Sequence, residues 1–118
     1  MITLYGVPQC DTVKAARAWL SAQNAPQAFH DYKKQGVPAA RLNAWVAGIG
    51  WETLLNRRGT TWRRLDPAQQ VLVVDAASAV ALMLKEPSLI RRPVVEWPDG
   101  QVSVGFSASD WAGRLRAA

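Results

Sequence analysis

At 118 residues, with 49% hydrophobic and 19% charged side chains, the chain has the size and composition of one globular domain, which argues against disorder. Its single cysteine permits no internal disulfide and its apolar stretches are far too short to span a bilayer, which excludes a disulfide-stapled secreted scaffold and a membrane protein. The net charge of +5 is concentrated in the pairs Arg57-Arg58, Arg63-Arg64 and Arg91-Arg92, but no nucleic-acid motif accompanies them, and such pairs more often form solvated helix faces or anion clamps than nucleic-acid surfaces.

Ile2 to Tyr5 reads as a short apolar strand, Gly6 to Gln9 as a tight loop, and Asp11 to about Gln23 as a helix. Val13, Ala16 and Leu20 line one face of that helix, with Lys14, Arg17 and Ser21 toward water. Cys10 therefore stands where a strand hands over to a helix. Unpaired N–H groups and the positive end of the helix dipole favour an anion there, and Lys14 and Arg17 follow within two turns. The residues alone leave two readings open: a poised thiolate, or the inert buried thiol that a lone cysteine usually is.

Asn24-Ala25-Pro26 ends the helix and Phe29 to Tyr32 reads as a second strand, so residues 1–32 are expected to form a right-handed parallel βαβ unit. His30 has no Cys or His at ligand spacing; it reads as a packed or surface residue, and no metal is expected. Residues 33–90 read as helical pieces between breakers. Ala39 to Ala47 carries an apolar face of Leu42, Trp45 and Val46 and stops at Gly48-Ile49-Gly50. Trp51 to Leu55 and Thr61 to Leu65 read as short helices, and Asp66-Pro67 starts another. Val71 to Val74 is too short for periodicity to settle; helix or connector is favoured over a buried strand. Asp75 to Glu86 is a clear helix with Val80, Met83 and Leu84 inward, closed by Pro87.

Over residues 91–118, Val94 to Trp97 and Gln101 to Phe106 flank Pro98-Asp99-Gly100, a pattern that requires antiparallel pairing; Ser107 to Ser109 caps a last helix through Leu115. The tryptophans read as core rather than chemistry. The sum is a single α/β (α+β) domain over 1–118: a four-stranded mixed sheet of thioredoxin-like layout, with a helical insertion between its βαβ and ββα units. A reducing, cytoplasmic setting is expected for a chain with one free thiol and no signal-peptide pattern at its start.

Four blocks narrow the layout further: Tyr5-Gly6-Val7-Pro8-Gln9-Cys10-Asp11-Thr12-Val13-Lys14, Leu54-Leu55-Asn56-Arg57-Arg58-Gly59-Thr60-Thr61-Trp62, Pro87-Ser88-Leu89-Ile90-Arg91-Arg92-Pro93-Val94, and Val104-Gly105-Phe106-Ser107. Through them the sequence resembles the ArsC (arsenate reductase-like) family, and within it the YffB-like group, over essentially its full length. The resemblance implies that Cys10 is a nucleophilic thiolate. It implies that Arg92 holds an anionic substrate or a glutathione carboxylate by paired N–H bonds. It also implies a cis peptide bond before Pro93, where the alternative is an ordinary edge-strand proline. Lys14, Arg17 and Arg58 are then expected to keep the thiol ionised and to orient an acidic partner.

The implied activity is a glutathione-dependent thiol reductase acting on a small thiol or disulfide, with an external thiol, and glutaredoxin as a further partner, resolving what Cys10 forms. Arsenate reductases of this class place two further arginines around the oxyanion; Asn56 and Gly105 stand at those positions here, so efficient arsenate reduction is not expected. Spx-type regulators share the fold, bind RNA polymerase and carry a Cys-x-x-Cys switch, whereas Val13 occupies the second position in this chain. An adaptor that binds RNA polymerase through its basic helical surface is the rival of another class, and a true arsenate reductase ranks below it.

Overall fold

The apolar run at the start of the chain becomes β1 (Ile2–Gly6), an inner strand that is hydrogen-bonded on both sides. In the computed structural model, which describes residues 1–117, the chain forms two units, Met1–Gly36 joined by the segment from Arg92 onward, and Val37–Arg91.

In the first unit β2 (Gln27–Asp31) lies parallel to β1, β3 (Val94–Glu96) runs antiparallel on its other side, and β4 (Val102–Val104) is antiparallel to β3. The order is β2-β1-β3-β4, the four-stranded mixed sheet of the thioredoxin-like layout. A parallel pair needs a crossover, which α1 (Asp11–Ala22) supplies with Val13, Ala16 and Leu20 buried along one face. Asn24, at φ +55°, then turns the chain toward β2, a backbone conformation that Asn tolerates better than most residues.

β2 starts and ends earlier than the sequence implies. Asp31 pairs with Gly6, and its carboxylate accepts a hydrogen bond from the Lys33 N–H at 2.9 Å. Asp31 is thus the N-cap of a one-turn helix, α2 (Tyr32–Gln35), and Tyr32 belongs to that helix rather than to the strand. β4 is likewise shorter than expected. Gly105 sits at φ +78° and donates its N–H to the Pro93 carbonyl at 2.9 Å, so the ladder gives way at a position suited to glycine.

Because strand side chains alternate, Ile2, Leu4 and Val95 share one face of the sheet, and there they join Ala16, Leu20, Trp97 and Trp111 in one core cluster. Trp111 belongs to the last helix, α8 (Ala108–Ala117). It meets Trp97 at 5.2 Å, Phe106 at 4.8 Å and Trp19 at 6.1 Å between ring centroids, each near edge-to-face, the geometry that aromatic quadrupoles prefer. Ser107 begins α8, its hydroxyl accepting from the Asp110 N–H at 3.3 Å.

The second unit is helical: α3 (Ala39–Ile49), α4 (Trp51–Leu54), α5 (Thr60–Arg64), α6 (Pro67–Gln70) and α7 (Ala76–Lys85), followed by a 3-10 turn at Pro87–Leu89. α3 continues through Gly48 and stops at Gly50, where φ reaches +85°; of the two glycines only Gly50 leaves helical geometry. Val71 to Val74 is a turn and connector, with Val71, Leu72 and Val74 exposed by 72%, 70% and 72%. A reciprocal capping box of Asp75 and Ser78 opens α7. Ala79 and Met83, four residues apart, are its buried positions. Leu84, which the spacing places inward, lies 38% exposed, since one residue past Met83 the helix has rotated by about 100°. The unit closes where Leu55 bridges Ile90, Asn56 N–H donates to the Leu89 carbonyl at 2.8 Å and Arg91 N–H to Leu54 at 3.0 Å. Among the described residues no helix is long and apolar enough to cross a membrane.

The aromatic cluster yields a first prediction. Trp111→Ala removes the ring on which three other rings close and is expected to cost about 3–5 kcal/mol of stability, measured as a shift of the urea unfolding midpoint by far-UV circular dichroism.

Candidate active site

Cys10 is the N-cap of α1, in extended backbone geometry at φ −68° and ψ 125°. The loop before it closes with the Cys10 N–H donating to the Val7 carbonyl at 3.3 Å, and the helix begins with Lys14 N–H donating to the Cys10 carbonyl at 2.9 Å. This fixes the half-buried sulfur in front of the first turn, whose N–H groups have no partner within the helix.

Gly6 allows the neighbouring segments to converge there. A Cβ on Gly6 would lie 3.0 Å from the Val13 Cγ2 and 3.8 Å from the Arg92 Cβ. The end of β1, the first turn of α1 and the segment entering β3 therefore meet at a residue without a side chain.

Partial burial alone pushes the Cys10 thiol up, because it disfavours the charged form. The N–H groups of Val13 and Thr12, and then the Arg92 guanidinium as donor and as charge, outweigh it and hold the thiol below its ordinary value. The Cys10 side chain makes no capping hydrogen bond, and the first-turn N–H groups act on the sulfur as dipoles that favour its ionised form. Arg92 precedes Pro93 through a cis peptide bond, and Pro93 is buried at the entrance to β3.

The other candidate residues are placed differently. Lys14 and Arg17 are exposed on α1, and the groups that hold the thiol down are Val13, Thr12 and Arg92 instead. The Arg17 guanidinium lies 4.3 Å from the centroid of the Phe29 ring, so its charge is spent on β2. Arg58 is exposed in the helical unit, its N–H donating to Asn56 Oδ1 at 3.0 Å. His30 Nε2 lies 2.8 Å from the Gly36 carbonyl, with its ring 5.0 Å from Tyr5 and 6.1 Å from Tyr32. No cluster of His, Cys, Asp and Glu that could hold a metal occurs among the described residues.

Sequence reasoning missed a polar group at the same end of the sheet. The Tyr5 hydroxyl donates to Glu96 Oε1 at 2.7 Å. The Tyr32 hydroxyl is buried without a hydrogen-bond partner. Burial drives its pKa far above the ordinary tyrosine range, Tyr5 and Glu96 push the same way, and Arg92 opposes them. Both tyrosines read as strand aromatics in the sequence. The one signal that could have revealed Tyr32 is Asp31, an N-cap residue type directly before it.

The model of the ArsC family matches residues 5–113. A Haemophilus influenzae protein of uncharacterized function is 38% identical over 111 residues, covering 94% of this chain and 96% of its own length. The global transcriptional regulator Spx of a Streptococcus pyogenes M3 strain is 25% identical over 112 residues, covering 93% of this chain and 81% of Spx. Among solved structures, a protein named YFFB superposes with a TM-score of 0.91 at 46% identity, over 98% of this chain and 99% of its own.

The electrostatics give a second prediction. The rate of Cys10 alkylation against pH is expected to show a midpoint below that of an unperturbed thiol, and Arg92→Gln raises it. The sign carries into stability. A lowered folded-state value means that the ionised thiol stabilises the fold fully above the unfolded value, and that this contribution is lost as pH falls through the folded one. Urea titrations on either side of the ordinary thiol range should therefore show wild type gaining on Cys10→Ser as pH rises.

Proposed function

The chain belongs to the ArsC family, and from that premise we propose that it is a thiol-dependent reductase using glutathione as co-substrate, with Cys10 as its nucleophile. The observation that carries this reading is the Cys10 thiol held low by the first-turn N–H groups and by Arg92. The Cys10 thiolate attacks one sulfur of a mixed disulfide between glutathione and a substrate thiol. A Cys10–glutathione disulfide forms, and the substrate leaves as its reduced thiolate, which takes a proton from water. A second glutathione thiolate attacks the Cys10 adduct, regenerates the Cys10 thiolate and departs as oxidised glutathione; two glutathione thiols thus supply the two electrons. Glutaredoxin is a second route for removing the glutathione from Cys10.

Arg92 acts twice in this scheme, as a charge beside the thiolate and as a fork for a carboxylate of glutathione. Pro93 brings its backbone beside that fork, and Lys14 attracts acidic substrates. Arg17, engaged with Phe29, has a smaller share than the sequence implied. Gly105 offers an oxyanion no guanidinium, which turns the site away from arsenate. A reducing cytoplasm suits a lone, low-lying thiol.

A second reading, an adaptor like Spx that binds RNA polymerase, draws on the exposed Val71, Leu72 and Val74 of the helical unit, since apolar side chains clustered at a surface mark partner contacts. Cys10→Ala leaves polymerase capture intact under that reading.

Incubation with oxidised glutathione is expected to add one glutathione, on Cys10, by mass spectrometry; reduced glutathione removes it and Cys10→Ser takes none. Arg92→Gln is expected to raise KM for glutathione about tenfold to a hundredfold, the worth of a hydrogen bond to a charged group. Absence of the adduct on wild type, with capture of a polymerase subunit, would shift the assignment to the adaptor.

A further inference from the structure

Beyond Cys10 and Arg92, one group at this end of the sheet has no role yet. Tyr32 is 6% exposed, and its hydroxyl is one of the buried side-chain polar atoms without a partner among the described residues. Leaving such a group unsatisfied is unfavourable, and folded proteins keep few of them.

Its placement follows from the register. Asp31, the last residue of β2, pairs with Gly6, the last of β1, so Tyr32 and Cys10 both lie beyond the carboxyl ends of the two parallel strands. Open α/β sheets bind their ligands at this end. A Cβ on Gly6 would lie 3.8 Å from the Arg92 Cβ, and β3 enters from Arg92 two residues before Val94 pairs with Tyr5. The Tyr5 hydroxyl donates to Glu96 and His30 Nε2 lies on the Gly36 carbonyl, and neither ring makes a hydrogen bond with the Tyr32 hydroxyl. Arg92 carries no acceptor.

We propose that the Tyr32 hydroxyl is a specificity-determining donor, held in reserve for the carboxylate that Arg92 grips on the thiol or disulfide substrate. This rests on the reductase reading given above. The hydroxyl is covered in the free protein, so its hydrogen bond forms as the substrate seats. Burial keeps the phenol protonated across the working range of a thiolate, so the donor persists wherever Cys10 is ionised. A guanidinium and a phenol on one carboxylate distinguish a charged thiol from a neutral thiol of similar reactivity, which Cys10 alone cannot do.

The test compares mixed-disulfide formation at Cys10 from oxidised glutathione and from 2-hydroxyethyl disulfide, which has no carboxylate, in wild type and in the isosteric Tyr32→Phe. The expected result is that Tyr32→Phe slows reaction with oxidised glutathione about tenfold or more and leaves the neutral disulfide unchanged. The Cys10 alkylation midpoint stays in place, and thermal stability holds or rises as the orphan hydroxyl disappears. Equal rates for wild type and Tyr32→Phe with oxidised glutathione, while wild type still favours it over the neutral disulfide, overturn the role of Tyr32 and leave the reductase reading standing. If wild type shows no preference for oxidised glutathione, both fall. If Tyr32→Phe slows both disulfides alike and loses stability, Tyr32 is a packing residue and the proposal fails.

Discussion

The candidate site depends on the close approach at Gly6. β1 must end, α1 must begin and the segment before β3 must pass within one small volume, and a single methyl group at Gly6 would press on Val13 Cγ2 at 3.0 Å, a separation at which neighbours have to give way. The absence of a side chain there lets Val13 of the first turn of α1 pack against the end of β1, with Arg92 alongside. The sheet supplies the rigidity behind it: β1 is hydrogen-bonded to β2 and β3 on either side, and its other face is sealed by the aromatic cluster around Trp111. Packing at one end of a strand is therefore what places charge at the thiol.

That placement also decides which charges matter. A half-buried sulfur loses hydration, and through-space attraction from an exposed cation is weakened by solvent and salt. Groups that aim an N–H at the sulfur escape this weakening, and so the backbone donors of Val13 and Thr12 rank ahead of the charge on Arg92. Lys14 and Arg17 are near Cys10 in sequence but reach outward from the helix. Proximity along the chain was a poor guide to proximity in the field.

The same contrast governs what could be read from the residues alone. The parallel βαβ unit, the antiparallel β3–β4 hairpin and the buried face of α1 were legible because apolar period and turn chemistry act locally, as in Pro98-Asp99-Gly100 and in Val13, Ala16 and Leu20. Cys10 as a helix cap was legible for the same reason. Boundaries failed where one side chain served two elements: Asp31 is both the last strand residue and a cap, which moved Tyr32 out of β2, and Gly48 stayed helical because the required left-handed stop came two residues later at Gly50. Arg92 became visible only by resemblance, since about eighty residues separate it from Cys10 and no periodicity spans that distance. The pairing of Tyr5 with Glu96 across β1 and β3 needs the register before it can be seen at all.

Val13 stands three residues after Cys10, is fully buried, and holds its Cγ2 methyl close under Gly6, so this slot is committed to packing. Cys10 is the single cysteine of these 118 residues, so none of them offers it a second thiol. There is no neighbouring thiol whose high effective concentration would close a ring and expel the bound group. Under the reductase reading proposed above, the lifetime of the capped state scales inversely with the concentration of free thiol in the surroundings. On that reading, occupancy of this one sulfur reports the thiol pool by simple collision, without an internal clock.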